Sequence, residues 1–246
     1  MDTTGINPSE LPKRGMGKVD FLSTLPRELD KYLYHSEPGI VLYCGDSREV
    51  LPLIPAISLV LTDPPYGIDW NTDYTRFTRS LQKTPRKAFD KIQNDQNADL
   101  ADIVFGSWEL ICWGAHLFPW KISRPGSWLV WDKRFDNGTA MLADAEMAWW
   151  SEGHGVYIHK HTWQGMIQNR SGIPQKREHP NEKPAALFSW CIQRAKAAGT
   201  IVDPFCGSGP ALIAAKHLGR QAIGIEIEER YCAITKRRLG QGVLSF

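Results

Sequence analysis

The chain has 246 residues, 42% hydrophobic and 23% charged, with a formal net charge of +2. That length suits one large α/β domain or two small ones, and so small a net charge excludes inferring a polyanionic partner from total charge, leaving its distribution to be read. The composition argues against several classes. No apolar run reaches the roughly 18–20 residues that span a bilayer, and residues 1–17 lack the apolar stretch of a signal peptide. Five scattered cysteines without a C-x-x-C pair argue for reduced thiols in a cytoplasmic protein, against a disulfide framework or zinc ribbon.

Residues 1–38 mix Pro, Gly and charge without periodicity and read as an N-terminal extension. The pattern sharpens from Gly39. Ile40–Cys44 and Ile57–Thr62 are short apolar runs, the first ending in Gly45-Asp46 and the second in Asp63-Pro64-Pro65; both read as buried parallel strands. Residues 68–108 are polar and basic, a loop insertion with some helix. Glu109–Phe118 is apolar and Ser127–Trp131 reads as a strand, while 134–178, rich in aromatics over 144–165, form a second insertion. Pro184 opens a helix that Gly199 closes. Thr200–Val202 is a strand, a helix through Leu212, Ala215 and Leu218 ends at Gly219, Ala222–Ile225 is a strand ending at Glu226, and 229–239 are helical. Strand–helix–strand at this spacing is a βαβ unit. The chain is therefore expected to form one doubly wound α/β domain over 39–240.

Ligands of such sheets bind outside the carboxyl ends of the strands. In Asp203-Pro204-Phe205-Cys206-Gly207-Ser208-Gly209, the glycines allow a tight turn and close approach to a ligand. Glu226, 17 residues after Gly209, ends the next strand, where a carboxylate accepts from ribose hydroxyls. A nucleoside-containing cofactor follows. Leu212 stands where a dinucleotide fingerprint needs its third glycine, and there is no P-loop lysine.

Asp63-Pro64-Pro65-Tyr66 ends an apolar strand with a carboxylate and two prolines, whose fixed φ and missing N–H leave free carbonyl acceptors. This suits activation of an exocyclic base amine. Its lone pair is delocalised into the ring, and acceptors at Asp63 and the Pro64 carbonyl return electron density to nitrogen and stabilise its developing positive charge. Tyr66 is placed to stack on the base.

Asp63-Pro-Pro-Tyr66 resembles the catalytic motif of the amino-type DNA methyltransferases, and Asp203–Gly209 resembles their cofactor motif. His179-Pro180-Asn181-Glu182-Lys183-Pro184 resembles the segment preceding it, and Gly45-Asp46-Ser47 the acidic loop that contacts the cofactor adenosine. Catalytic motif first and cofactor motif last is similar to the circularly permuted β-class, and Trp113-Gly114 through Trp128–Arg134 is similar to compact orphan enzymes of phages and prophages. The resemblance covers roughly 39–239. It implies a Rossmann-like, mostly parallel sheet with an antiparallel strand, S-adenosylmethionine as cofactor, and double-stranded DNA as partner, with the target base flipped out of the duplex. It places Asp46, Lys183, Asp203, Pro204, Phe205, Cys206, Gly207, Ser208, Gly209 and Glu226 around the cofactor, and Asp63, Pro64, Pro65 and Tyr66 on the base. Asp at the first motif position points to adenine N6. Pro210 departs from the family's usual Thr; proline is tolerated at a helix start, so only a geometric adjustment is expected.

For DNA contact, residues 75–91 carry Arg76, Arg79, Lys83, Arg86, Lys87 and Lys91 against Asp90, a local charge of +5. Lys176 and Arg177 form a second candidate, while Lys236-Arg237-Arg238 read as an exposed helix end complementing the dipole. His154, His159 and His161 match no strong zinc spacing, so no metal centre is expected. Cys206 reads as a small residue of the turn, not a nucleophile. Cytosine-N4 transfer, a non-catalytic DNA-binding module of this fold, and a protein-glutamine or RNA methyltransferase remain alternatives. The sequence leaves open the recognition site, any partner nuclease, and the oligomeric state, a homodimer included.

Overall fold

The computed structural model describes residues 21–65, 104–134, 143–164, 167–168 and 183–241. Strands β1 (Leu33–Glu37), β2 (Ile40–Cys44), β3 (Leu59–Thr62), β4 (Glu109–Trp113), β5 (Ser127–Asp132), β6 (Ala145–Trp150) and β7 (Val156–Lys160) precede the short hairpin β8 (Trp163–Gln164) and β9 (Ile167–Gln168). Strands β10 (Ile201–Asp203) and β11 (Ala222–Glu226) follow. The helices are α1 (Ser47–Val50), α2 (Ala185–Arg194), α3 (Pro210–His217) and α4 (Glu229–Gly240). Nine strands among the described residues form one sheet in the order β1-β2-β11-β10-β3-β4-β6-β5-β7. Strands β2, β11, β10, β3 and β4 are mutually parallel, and β5 and β7 run parallel to each other. Two strands run antiparallel where one was expected. β1 folds back on β2 through Pro38-Gly39, and β6 lies between β4 and β5 against both.

The central strands are apolar throughout because both their faces are covered, as in parallel sheets generally. Ile40 and Leu42 of β2, with Leu59, Leu61 and Ile201, face α2, α3 and α4 through Leu187, Leu212 and Cys232. Val41 and Tyr43, with Val202, Ile223 and Ile225, face Val50, Leu51 and the N-terminal segment. Val60, Leu110 and Cys112 pack against Val104, Phe118 and Trp149. No helix among the described residues is long and apolar enough to cross a membrane.

The N-terminal part of the fold begins earlier than the expected boundary at residue 39. Phe21, Leu22, Leu25 and Leu29 are buried against the sheet, and Leu33–Glu37 is its edge strand. Short 3-10 turns at Phe21–Thr24 and Arg27–Tyr32 and the Leu25-Pro26 link between them carry these side chains, so neither a 3.6- nor a 2-residue period is visible. Helix α2 also departs from expectation, ending at Arg194 and not at Gly199. Glu109, at the start of β4, accepts the backbone N–H of Lys196 at 3.0 Å and of Ala197 at 2.6 Å, and Ala195 is extended with ψ 141°. The carboxylate takes up amides that another helical turn would have used. Gly219 closes α3 as read: with φ 65° it donates to Lys216 O while Arg220 donates to Ala215 O, a Schellman arrangement that only a left-handed residue permits.

Candidate active site at the carboxyl edge of the sheet

Parallel pairing places the carboxyl ends of β2, β11, β10 and β3 side by side. Cys44 is level with Glu226, Asp203 with Gly224, and Val202 with Val60. Each end carries a carboxylate: Asp46 beyond β2, Glu226 closing β11, Asp203 closing β10, and Asp63 just after β3. The turns 63–65 and 203–209, 140 positions apart in the chain, therefore start from adjacent strand ends. One hydrogen bond ties the end of β3 to the second turn, from Thr62 Oγ1 to Asp203 Oδ1 at 2.7 Å.

The 203–209 turn is fixed on all sides. Phe205 N donates back to Asp203 Oδ1 at 3.2 Å, and Cys206 N to Ile225 O at 2.9 Å. Gly207 N donates to Glu226 Oε2 and Glu228 N to Glu226 Oε1, each at 2.8 Å. From α4, Thr235 Oγ1 donates to Gly207 O at 2.9 Å, and Arg238 Nη1 to Ser208 O at 2.9 Å and Ser208 Oγ at 2.8 Å. Ser47 Oγ donates to Pro204 O. Arg238 therefore braces this turn as well as standing in the last turn of its helix, where the sequence suggested only a dipole partner. Gly209 has φ 78°, and a Cβ there would come within 2.5 Å of Thr235 Cγ2. It caps α3, and Pro210 takes the first helical position, where its missing N–H costs nothing.

Burial pushes Asp203 up to about 7 against the hydrogen bonds from Thr62 and Phe205, with Asp63 and Glu226 adding repulsion. Burial also raises Glu226, opposed by its backbone amide donors. Asp46 is held below the usual carboxylate range by Arg48, whose guanidinium Nε donates at 3.0 Å, and it caps α1 by accepting Arg48 N at 2.9 Å. The Cys206 thiol is buried and pushed well above its ordinary value, unsuited to act as a nucleophile.

At the 63–65 turn Pro64 is buried. Lys183, which sequence grouped with the cofactor loop, forms an ion pair with Asp63 Oδ2 and a second with Glu146 Oε2 at 3.2 Å. Glu146 also pairs with Lys133 at 2.9 Å. Glu146 and Lys133 were missed by sequence reasoning. The available signal was a single charge in the otherwise apolar Ala145–Trp150 run, at a position facing the carboxyl edge. Tyr66, Arg76, Arg79, Lys83, Arg86, Lys87, Lys91, Lys176 and Arg177 lie outside the described residues. Of the weighed histidines, His159 stacks on Trp190 at 5.0 Å and on His161 at 5.9 Å.

The edge thus holds two chemistries side by side. Glu226 accepts backbone amides on both oxygens, and a carboxylate's four lone-pair sites leave acceptor capacity for a ribose diol over a glycine-lined turn. Asp63 presents an ion-paired carboxylate beside the Pro64 carbonyl, two acceptors suited to an amine.

Comparison with known proteins gives one family match, to the N6/N4-type DNA methylases over residues 149–237. The chain is 38% identical over 84 residues to the type II methyltransferase M2.LlaDCHI of Lactococcus lactis subsp. cremoris, covering 34% of this chain and 31% of that protein. It is 28% identical over 217 residues to the putative methylase YubD of Escherichia coli K12, covering 79% of this chain and 88% of that one. The chain thus spans under a third of the first relative and most of the second. The fold is shared with the M1.HpyAVI–SAM complex, at TM-score 0.52 and 20% identity over 81% of this chain and 98% of that one.

Proposed function

We propose that this chain, whose residues 149–237 match the N6/N4-type DNA methylases, transfers a methyl group from S-adenosylmethionine to N6 of an adenine flipped out of double-stranded DNA. The observation that carries this reading is the adjacency of the 63–65 and 203–209 turns on one sheet edge, with the end of β3 hydrogen-bonded to Asp203. A donor held over the second turn lies within reach of an amine held at the first, as near-attack geometry of about 3–3.5 Å demands.

The residues fit a nucleoside-bearing methyl donor. Glu226 accepts from the ribose hydroxyls, the positive-φ turn at Gly207 lets backbone approach the ligand, and Asp46 lies one strand further along the same edge. When bound, S-adenosylmethionine supplies an electrophilic methyl on a sulfonium. Asp63 and the Pro64 carbonyl accept the two amine hydrogens and orient the nitrogen lone pair. As nitrogen becomes positive the carboxylate stabilises it, and the departing proton has Asp63 as its nearest acceptor. Lys183 pairs with that carboxylate and orients it. Tyr66 stacks on the extruded base. By the motif resemblance, Asp at the first position supports adenine; cytosine N4 is the second reading, since the same acceptors serve its amine. Arg76, Arg79, Lys83, Arg86, Lys87, Lys91, Lys176 and Arg177 supply phosphate contacts.

The test is a paired substitution. Asp63→Ala is expected to abolish methyl transfer to DNA while leaving the S-adenosylmethionine Kd, read by calorimetry, within about twofold of wild type. Glu226→Ala is expected to weaken that Kd about tenfold or more, the loss of charged hydrogen bonds to a ligand. Full turnover in Asp63→Ala, or unchanged binding in Glu226→Ala, contradicts the assignment of roles.

A further inference from the structure

The Asp63–Lys183 pair does not stand alone. Lys183 is buried, with 5% side-chain exposure, and its ammonium lies between Asp63 on β3's carboxyl side and Glu146 on β6. Glu146 in turn bonds Lys133, just beyond β5, at 2.9 Å. Charges alternate along this row: Asp63, Lys183, Glu146, Lys133. Beneath it lies an aromatic floor. Lys183 Nζ is 5.9 Å from the Trp113 ring centroid and Lys133 Nζ is 5.7 Å from that of Trp131, and the two indoles meet edge-to-face at 6.4 Å and 84°. Both tryptophans are fully buried, and Trp131 is pinned by its Nε1 donating to His161 O at 2.8 Å. The apolar floor lowers the local dielectric and strengthens the ion pairs above it.

We propose that Glu146 is a positioning residue of the methyl-transfer site, holding Lys183 from the side opposite Asp63 so that the Asp63 carboxylate is fixed where the base amine is received. This rests on the methyltransferase reading above. A lysine ammonium is a point charge on a four-carbon stem with three rotatable donors, and one carboxylate partner does not fix it. A second anion 3.2 Å away, on β6, does. Lys183 and Lys133 together hold Glu146 low, Lys133 on Oε1 and Lys183 on Oε2, and burial of the Lys183 ammonium keeps water from competing for its donors.

The test is a double-mutant cycle on the full-length protein, with labelled methyl transfer into DNA as the readout and S-adenosylmethionine Kd measured alongside. Glu146→Gln, close to isosteric, is expected to lower kcat about tenfold to a hundredfold, the scale of a small misplacement of a reacting group, with Kd unchanged. Lys183→Met is expected to lower kcat at least as far. Because Glu146 acts through Lys183, adding Glu146→Gln to Lys183→Met is expected to cause no further loss. Wild-type kcat in Glu146→Gln, or losses that multiply in the double variant, overturns the proposal. Should Glu146→Gln fail to melt cooperatively, Glu146→Asp tests the same point, keeping the charge but shortening its reach. A lowered kcat at unchanged Kd supports the proposal, and wild-type kcat overturns it. An active wild type whose variants behave contrary to these expectations removes this inference alone, whereas a folded wild type that transfers no methyl group removes the methyltransferase reading and this inference with it.

Discussion

Asp203 is nearly fully buried at the centre of the carboxyl edge and titrates near 7. Its raised folded value has a consequence for stability. Between the ordinary aspartate value and about 7, the unfolded chain releases a proton that the folded chain retains, so this residue's contribution to stability falls as pH rises through that window and then levels off. Asparagine can still accept from Thr62 and Phe205 N without a charge. Asp203→Asn is therefore expected to raise Tm relative to wild type at pH 8, with the difference shrinking toward pH 4; an equal Tm difference at both pH values contradicts the burial argument. Glu146 behaves in the opposite sense. Burial alone would raise it, but the Lys183 and Lys133 ammoniums bring it down to about 2. Its stabilising contribution is complete above about 4.5 and is lost as pH falls through that value toward 2, so Glu146→Gln should flatten the acid limb of thermal stability measured by calorimetry.

The elements that carry the site depend on a few backbone positions. Gly209 combines φ 78° with a Thr235 methyl at 2.5 Å from where a Cβ would stand. Gly209→Ala is expected to cost about 1–3 kcal/mol and to displace the 203–209 turn, weakening S-adenosylmethionine binding. Unchanged chemical denaturation and unchanged affinity together would contradict that. The 203–209 turn was legible in sequence because glycine spacing and a strand-end acid are local signals, and β2, β3 and β11 emerged from uninterrupted apolar runs. The end of α2 was not legible. It is set by Glu109, which lies some 87 positions earlier in the chain and meets the helix only after β4 joins the sheet. Glu146 was hidden for the same reason, since its partners Lys133 and Lys183 come from different strand ends and a loop.

On the scale of the whole molecule, the order β2-β11-β10-β3-β4 places the last strands of the chain between the first ones. A catalytic turn near residue 63 and a cofactor turn near residue 203 thereby become neighbours. The motif order announced this arrangement, but periodicity could not reveal how far the N-terminal segment belongs to it. Phe21, Leu22 and Leu29 cover Val41, Tyr43 and Ile223, each a side chain whose burial is worth about 1.5–3 kcal/mol. A chain shortened to begin at Gly39 is expected to lose cooperative melting, and a truncated protein with wild-type Tm would contradict the packing of that segment. The central claim is that donor and amine meet at the carboxyl edge between β3 and β10. Its most direct test is to incubate the protein with labelled S-adenosylmethionine and DNA, digest the DNA to nucleosides and weigh the labelled product. N6-methylated deoxyadenosine is the predicted result; label on a ring carbon such as C5 of cytosine, or no labelled nucleoside from folded, S-adenosylmethionine-binding protein, would contradict the account.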